Sequence, residues 1–275
     1  MKVSKRLLTQ IIFFLLQNPL LGNFISGRIY QGDLKKICTP GLNCYSCPAA
    51  IVSCPLGAMQ LYLAGVKQSI SLFVTGFLLS IGVVFGRFIC GYVCPMGLLQ
   101  DLLYKIKTPK LITLLRYFKY IKYVVLVLFV FLLPLFIRHE LSGLGEPWFC
   151  KYLCPSGTVF GAFPLLIVND NYRSMAGSLF IWKSALTACI LLASVPIYRF
   201  FCRVLCPLGA IYALLNPIAI VKMRCNKEDC NSCGECSNVC NIKLDPAVKP
   251  NSPECVRCGD CIKACGTKAL RYSFN

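Results

Sequence analysis

Four long apolar segments separated by polar stretches dominate residues 1–221 of the chain. They are Leu7–Ile25, Ile70–Ile89, Tyr120–Ile137 and Ser178–Ile197. A hydrocarbon layer of ~30 Å is crossed by about 20 helical residues, and each segment approaches that length. The pattern therefore predicts an all-α module of four transmembrane helices.

Shorter apolar stretches follow each CPxG sequence, for example LGAIYALLNPIAIV from Leu208. They are too short to span a bilayer, so we expect short re-entrant helices within the same module. From Lys222 onward the chain becomes polar and dense in cysteine. This change predicts two domains, a transmembrane module over 1–221 and a small α+β domain over 222–275.

Basic residues set the predicted orientation. They are concentrated before the first segment, between Arg87 and Lys122, and after Tyr198, and are sparser in the other two loops. By the positive-inside rule, both termini and the tail are expected in the cytoplasm. The sequence thus predicts a multi-pass protein of the cell membrane.

The composition favours metal binding and argues against nucleic acid. The chain is 56% hydrophobic and only 15% charged, and its net charge of +18 lies mainly at the ends of the apolar segments and in the tail. Twenty cysteines in a chain of 275 residues do not suit a small secreted disulfide scaffold. His139 is the single histidine, which argues against histidine-rich zinc sites and paired-histidine haem ligation.

Two cysteine runs in the tail carry the strongest chemical signal. CNSCGECSNVC and CVRCGDCIKAC both have the spacing C-x2-C-x2-C-x3-C, which is typical of bacterial-type ferredoxins with two [4Fe–4S] clusters. A zinc ribbon would instead need two C-x2-C pairs. In the ferredoxin pattern the fourth cysteine of each run binds the other cluster. The predicted ligand sets are Cys230, Cys233, Cys236 and Cys265 for one cluster, and Cys255, Cys258, Cys261 and Cys240 for the other.

A second cysteine motif, C-x3-C-P-x-G, occurs in RFICGYVCPMG and in FCRVLCPLG. Proline suits the first position of a helix, so the preceding cysteine is expected to be the N-cap. Free N–H groups and the helix dipole would then stabilise an anionic cluster, and the glycine would permit close backbone approach. Two such motifs supply four ligands and predict a third [4Fe–4S] cluster, on the side of the tail. We call this set the proximal quartet; it comprises Cys90, Cys94, Cys202 and Cys206.

Three arginines flank the proximal quartet: Arg87, Arg199 and Arg203. Their positive charge could offset that of the cluster, and we therefore predict them as cofactor-binding residues. The alternative is that they only anchor the module by the positive-inside rule.

A further group of cysteines falls on the opposite side in the predicted topology. It offers more ligands than one cubane needs, and Cys38 lies nearby. We predict a fourth [4Fe–4S] cluster here; the alternative is a disulfide between exposed cysteines. Cys189 lies in the middle of an apolar helix and is expected to be a core residue. Cys225 has no predicted role. We call this group the distal set; it comprises Cys44, Cys47, Cys54, Cys150 and Cys154.

Paired C-x3-C-P motifs followed by a two-cluster tail resemble the NapH/NosR-type membrane-bound ferredoxins, and the resemblance covers nearly the whole chain. It implies a membrane-bound protein that passes electrons between a donor and a reductase or flavoprotein partner. The distal set exceeds the minimal form of that pattern, which suggests a route to an acceptor on the far side of the membrane.

The function predicted from these features is electron relay without substrate chemistry of its own. A cytoplasmic ferredoxin-type partner would serve as donor, and a membrane or extracytoplasmic partner, such as a flavoprotein or reductase, as acceptor. One alternative is a quinone-linked oxidoreductase subunit, with His139, Glu140 and Glu146 near the site of proton transfer. Another is an assembly or regulatory factor for a metalloenzyme. Lys183, within the fourth apolar segment, is a functional candidate whose simpler explanation is a side chain reaching the membrane surface.

Overall fold

A computed structural model describes residues 5–65, 70–111, 118–139, 143–174 and 176–274. The helices of the first half are Lys5–Gln17, Asn23–Ser26, Pro55–Ala64, Leu72–Phe85, Phe88–Tyr92 and Pro95–Tyr104, with a 3-10 turn at Asp33–Lys36. The α-helices that follow are Ile121–Val125, Leu133–Phe136, Pro155–Gly157, Phe163–Val168, Asp170–Ser174, Ser178–Ala193, Phe200–Val204 and Pro207–Leu215. π-Helical turns occupy Leu126–Leu132, Phe149–Leu153 and Thr158–Ala162, and a 3-10 turn occupies Asn216–Ile218.

None of the helices within these described ranges has both the length and the apolarity that crossing a bilayer requires. Lys5–Gln17 has 13 residues, Leu72–Phe85 has 14 and Ser178–Ala193 has 16. The prediction of a four-helix transmembrane module, and with it of a multi-pass localisation in the cell membrane, is therefore wrong.

Local backbone breaks explain why the apolar segments are longer than the helices. The first segment is interrupted between Gln17 and Asn23, where Pro19 lacks the N–H that a continuing helix would need. The second ends at Gly86, whose φ of +53° lies in the left-handed region. Glycine adopts this conformation without a steric penalty, so the chain turns there and begins a new short helix at Phe88.

The main apolar core surrounds the cysteine motifs. It contains all four members of the proximal quartet together with Cys54 and Cys154 of the distal set. Lys5–Gln17 packs against Phe88–Tyr92 and Pro95–Tyr104, and Pro207–Leu215 packs against Leu72–Phe85. Short helices from distant parts of the chain thus enclose these thiols. Cys189, expected to fill the core, is instead exposed.

The tail has the same backbone turns in both of its halves. Ser232, Gly234 and Lys243 have positive φ in one half, as do Arg257, Gly259 and Lys268 in the other. The short helices Glu235–Asn238 and Asp260–Ala264 follow the two glycines. Strands Val221–Cys225 and Leu270–Phe274 pair antiparallel, with Met223 opposite Tyr272. The division into two domains near residue 222 stays a prediction.

Buried polar groups join the tail to the rest of the chain. The Arg257 guanidinium donates to the carbonyls of Phe85 at 3.1 Å and Asn216 at 2.7 Å. The Asn216 side chain donates to the carbonyls of Ser252 at 2.8 Å and Cys255 at 3.2 Å. Its Oδ1 accepts from the backbone N–H of Arg87 at 3.0 Å. A fully buried side chain therefore connects the tail loop to the start of the proximal motif.

We expect Asn216→Ala to weaken this junction, because it leaves two carbonyls and one N–H without their partner in a buried site. The free energy of unfolding should fall by about 2–3 kcal/mol. Denaturation and hydrogen exchange of Val221–Cys225 would measure the change. Asn171→Ala, at an exposed position, is the control and should have little effect. Equal stability of the two variants would contradict the role given to Asn216.

Candidate metal centres

The proximal quartet is assembled from two equivalent helix–turn–helix units. Cys90 and Cys202 lie in Phe88–Tyr92 and Phe200–Val204, while Cys94 and Cys206 are the N-caps of the helices that follow. Proline is the first residue of both of those helices, which confirms the predicted arrangement of cysteine and proline.

The four proximal thiols are buried and lie close to one another. Burial, followed by proximity to Cys94, raises the pKa of Cys202 to about 12. Burial also raises the pKa of Cys206 well above its usual range, and Cys202 and Cys90 raise it further. Four buried soft donors in one core cluster suit an iron–sulfur cluster, because cluster formation replaces their protons with iron.

Hydrogen-bond donors point at three of these sulfurs. The backbone N–H of Leu42 lies 3.4 Å from Cys94 Sγ, and that of Gly209 lies 3.3 Å from Cys206 Sγ. The Gln100 side-chain amide donates to Cys202 Sγ at 3.0 Å. Such donors stabilise the negative charge of thiolates and set the reduction potential of a bound cluster.

Arg87 and Arg199 each contact the opposite cysteine motif. Arg87 donates to the carbonyl of Cys202 at 3.1 Å, and Arg199 donates to the carbonyl of Cys90. Both side chains are fully buried, and Arg199 has a left-handed φ of +52°. The two guanidinium groups thus link the halves of the quartet through backbone oxygens.

Two carboxylates form ion pairs with these buried cations. Arg87 pairs with Glu254 at 3.3 Å, and Lys122 pairs with the same carboxylate at 2.6 Å. Arg199 pairs with Asp101 at 2.5 Å. Arg203 is also buried, and its Nε has no hydrogen-bond partner among the described residues. The cofactor-binding role of the three arginines stays a prediction.

The glycine of each proximal CPxG sequence lies against the preceding cysteine. A Cβ atom at Gly97 would stand 2.8 Å from the carbonyl oxygen of Cys90, and one at Gly209 would stand 2.7 Å from that of Cys202. No side chain fits at these distances without moving backbone. The two glycines therefore allow the short cysteine helix to fold back on the helix that follows.

The tail contains two cavities whose linings match the two predicted ligand sets. One is lined by tail residues together with Tyr198, and the other is bordered by exposed Cys233. Cys225, which had no predicted role, belongs to the second cavity. The first is lined by Cys240, Cys255, Cys258 and Cys261, and the second by Cys225, Cys230, Cys233, Cys236 and Cys265.

Within the distal set, Cys150 lies near three other cysteines. Burial raises its pKa well above the usual range, and proximity to Cys154, Cys54 and Cys44 raises it further. Cys47 instead directs its Sγ toward Asn18 Oδ1 at 3.6 Å. We call Cys44, Cys54, Cys150 and Cys154 the distal quartet. Cys54 and Cys154 are N-caps followed by proline, as in the proximal motifs.

Two buried amide side chains next to the distal quartet have unpaired atoms. Gln60 accepts from the backbone N–H of Cys150 at 3.4 Å, but its buried Nε2 has no partner among the described residues. Both amide atoms of buried Asn43, next to Cys44, also lack partners there. Lys183 Nζ donates to the carbonyl of Cys150 at 3.2 Å. An acceptor-rich anionic group would fit a site with these donors.

No group of three or more histidine, cysteine, aspartate or glutamate side chains in the described ranges is arranged to hold a single metal ion. A cubane does not require that arrangement, since each of its four thiolates binds a different iron atom. Ligation by the individual cysteines stays a prediction.

Of the residues considered for quinone chemistry, Glu146 is engaged by neighbouring side chains. Glu146 pairs with Lys151 at 2.5 Å and accepts from Tyr152 at 3.3 Å. The hydrogen bond from Lys151 lowers the pKa of Glu146, which does not favour a proton donor at neutral pH. Glu140 lies outside the described residues.

Sequence reasoning missed Gln60, Gln100, Leu42 and the contact of Lys183 with Cys150. The two glutamines occupy the same position after their CPxG sequences, in CPLGAMQ and CPMGLLQ. The repeated position of glutamine in the two sequences could therefore have indicated a shared role near the cysteines. Leu42 contributes only its backbone N–H, so its residue type gives no indication of the role.

Comparisons with known proteins point to the same chemistry. Residues 67–113 and 180–224 match the family described as a 4Fe-4S binding domain. The chain is similar to the methylamine utilization ferredoxin-type protein MauN of Methylorubrum extorquens, with 27% identity over 173 residues, covering 61% of this chain and 52% of MauN. It is also similar to the putative electron transport protein YccM of Escherichia coli, with 26% identity over 185 residues, covering 66% of this chain and 48% of YccM.

The chain spans about half the length of these two curated relatives. No solved structure matches it. Together with the cysteine content, the two matching segments indicate that this chain binds [4Fe–4S] clusters.

We expect Gly209→Ala to disrupt the proximal quartet, because the added methyl group would displace the Cys202 carbonyl. Iron content should fall by about four atoms per chain, the complement of one cubane. Gly76→Ala is the matched control, since Gly76 lies within helix Leu72–Phe85 and a Cβ there meets no atom within 4 Å. Elemental analysis of anaerobically purified protein provides the measurement. Unchanged iron in Gly209→Ala would contradict this role of the glycine.

Proposed function

We propose that this protein relays single electrons through four [4Fe–4S] clusters arranged in a line. The order is the tail cluster of Cys230, Cys233, Cys236 and Cys265, the tail cluster of Cys255, Cys258, Cys261 and Cys240, the proximal quartet, and the distal quartet. Each cluster supplies reversible one-electron chemistry when bound. The protein residues hold the clusters, exclude water from them and set their potentials.

The observation that carries the proposal is direct backbone contact between the tail and the proximal quartet. A Cβ atom at Gly91, between Cys90 and Cys94, would lie 2.7 Å from the carbonyl oxygen of Val256, between Cys255 and Cys258. Tyr92 Oη also donates to the carbonyl of Cys258 at 3.2 Å. The backbone between two proximal cysteines therefore lies directly against the backbone between two tail cysteines.

Differences in the solvent exposure of the cysteines support placing the first tail cluster at the end of the line that a partner protein can reach. Cys233, in the first tail set, is exposed, whereas every member of the proximal quartet is buried. A redox partner protein of the ferredoxin or flavoprotein class would thus meet the first tail cluster most directly. The partner at the distal end is proposed only by class, as a second redox protein.

A relation to the NapH/NosR-type ferredoxins belongs to the same proposal. The repeated C-x3-C-P-x-G motif and the double tail spacing support it. The membrane location of that family is not part of the proposal.

Iron and acid-labile sulfide per chain test the number of centres. Four cubanes require about 16 iron atoms, and loss of one would leave about 12. Cys154→Ser should remove the distal cluster and lower the count accordingly. Cys189→Ser, at an exposed position outside the four sets, should not. A count near 12 in the unmodified protein would contradict the distal centre and limit the relay to the tail and the proximal quartet.

A second test uses the unpaired amide of Gln60. If Gln60 Nε2 donates to a sulfur of the distal cluster, Gln60→Leu should lower the reduction potential of that centre, because the bond stabilises the more negative reduced state. Gln100→Leu should instead lower the potential of the proximal centre. Redox titration followed by EPR separates the two. If Gln60→Leu raised the free energy of unfolding but left all reduction potentials unchanged, the amide of Gln60 would face no cluster, and this part of the proposal would be wrong.

A further inference from the structure

A short loop segment lies between the proximal and distal quartets. The Leu42 backbone N–H donates to Cys94 Sγ at 3.4 Å, and the carbonyl of the same residue accepts from Ser156 Oγ at 3.4 Å. Ser156 follows Cys154 by two residues, and Cys44 follows Leu42 by two. Leu42 is therefore hydrogen-bonded both to a cysteine of the proximal quartet and to a residue that lies two positions after a cysteine of the distal quartet.

Tyr212 forms a second connection beside this segment. Its ring is buried, and its hydroxyl donates to the carbonyl of Pro40 at 2.8 Å. Burial raises its pKa, and proximity to Cys90, Cys94 and Cys54 raises it further. The side chain also belongs to the apolar core cluster that contains Cys90 and Cys94 of the proximal quartet and Cys54 of the distal quartet.

The loop also packs tightly on the proximal motif. A Cβ atom at Gly41 would stand 3.1 Å from Cys94 Cα and 3.3 Å from Pro95 Cδ. Leu42 is itself buried, at 2% exposure. The segment Pro40–Leu42 is therefore packed directly against the proximal motif and is shielded from solvent at Leu42.

We propose that the segment Pro40–Leu42, with Ser156 and Tyr212, is the bridge that couples the proximal and distal centres. The inference rests on the proposed relay and identifies its last internal step. With both clusters bound, one electron would leave one centre and enter the other, so that one would be oxidised and the other reduced. No covalent bond forms or breaks, and no proton is needed. These residues are positioning residues for the transfer.

Two variants of the full, anaerobically purified protein test the bridge. They are Tyr212→Leu and the double variant Ser156→Ala with Tyr212→Phe. The first removes the ring, and the second removes two hydrogen bonds while preserving shape. Tyr62→Leu is the matched control, because Tyr62 is exposed on the helix after Cys54. Each protein is mixed with less than one equivalent of dithionite, frozen at intervals and analysed by EPR.

Both bridge variants should slow electron equilibration between the proximal and distal centres by roughly tenfold. Their iron content and equilibrium potentials should match those of the unmodified protein, which a merely structural defect would not allow. An unchanged rate in the folded double variant would overturn the bridge while leaving the relay intact. A count of about 12 iron atoms in the unmodified protein would overturn both, because no distal centre would exist.

Discussion

Two buried guanidinium groups join the halves of the proximal quartet. Each of Arg87 and Arg199 leaves its own cysteine motif and binds the carbonyl of the first cysteine in the other. Such charge-assisted bonds are stronger than neutral ones and hold a defined geometry. They hold together two short helices, each too short to be stable alone, so that the four thiols share one buried core cluster.

The charge of this arrangement is distributed over the neighbouring parts of the protein. Glu254 forms an ion pair with Arg87 and immediately precedes Cys255 of the tail. Asp101 forms ion pairs with both Arg199 and Arg6. Breaking a buried ion pair leaves an uncompensated charge, which is strongly unfavourable. The tail and the first helix therefore participate in the same electrostatic network as the quartet.

Several features could be predicted because they depend on local sequence. The N-cap position of Cys94 and Cys206 follows from the proline after each, and the turn chemistry needs no distant partner. The transmembrane helices were predicted from apolarity alone, which does not register backbone breaks at Pro19 and Gly86. The bridging position of Leu42 depends on tertiary packing and could not be found from its residue type.

The unequal exposure of the cysteines also implies an order of chemical damage. Oxidation of cysteine follows access as well as thiolate character, and Cys233 is open to solvent whereas the proximal thiols are enclosed. Dioxygen, peroxide and chelators would therefore attack the tail edge first. In the proposed relay, the cluster that accepts electrons from the partner is then also the one most easily damaged, and repair of that single cluster would restore a chain whose interior had survived.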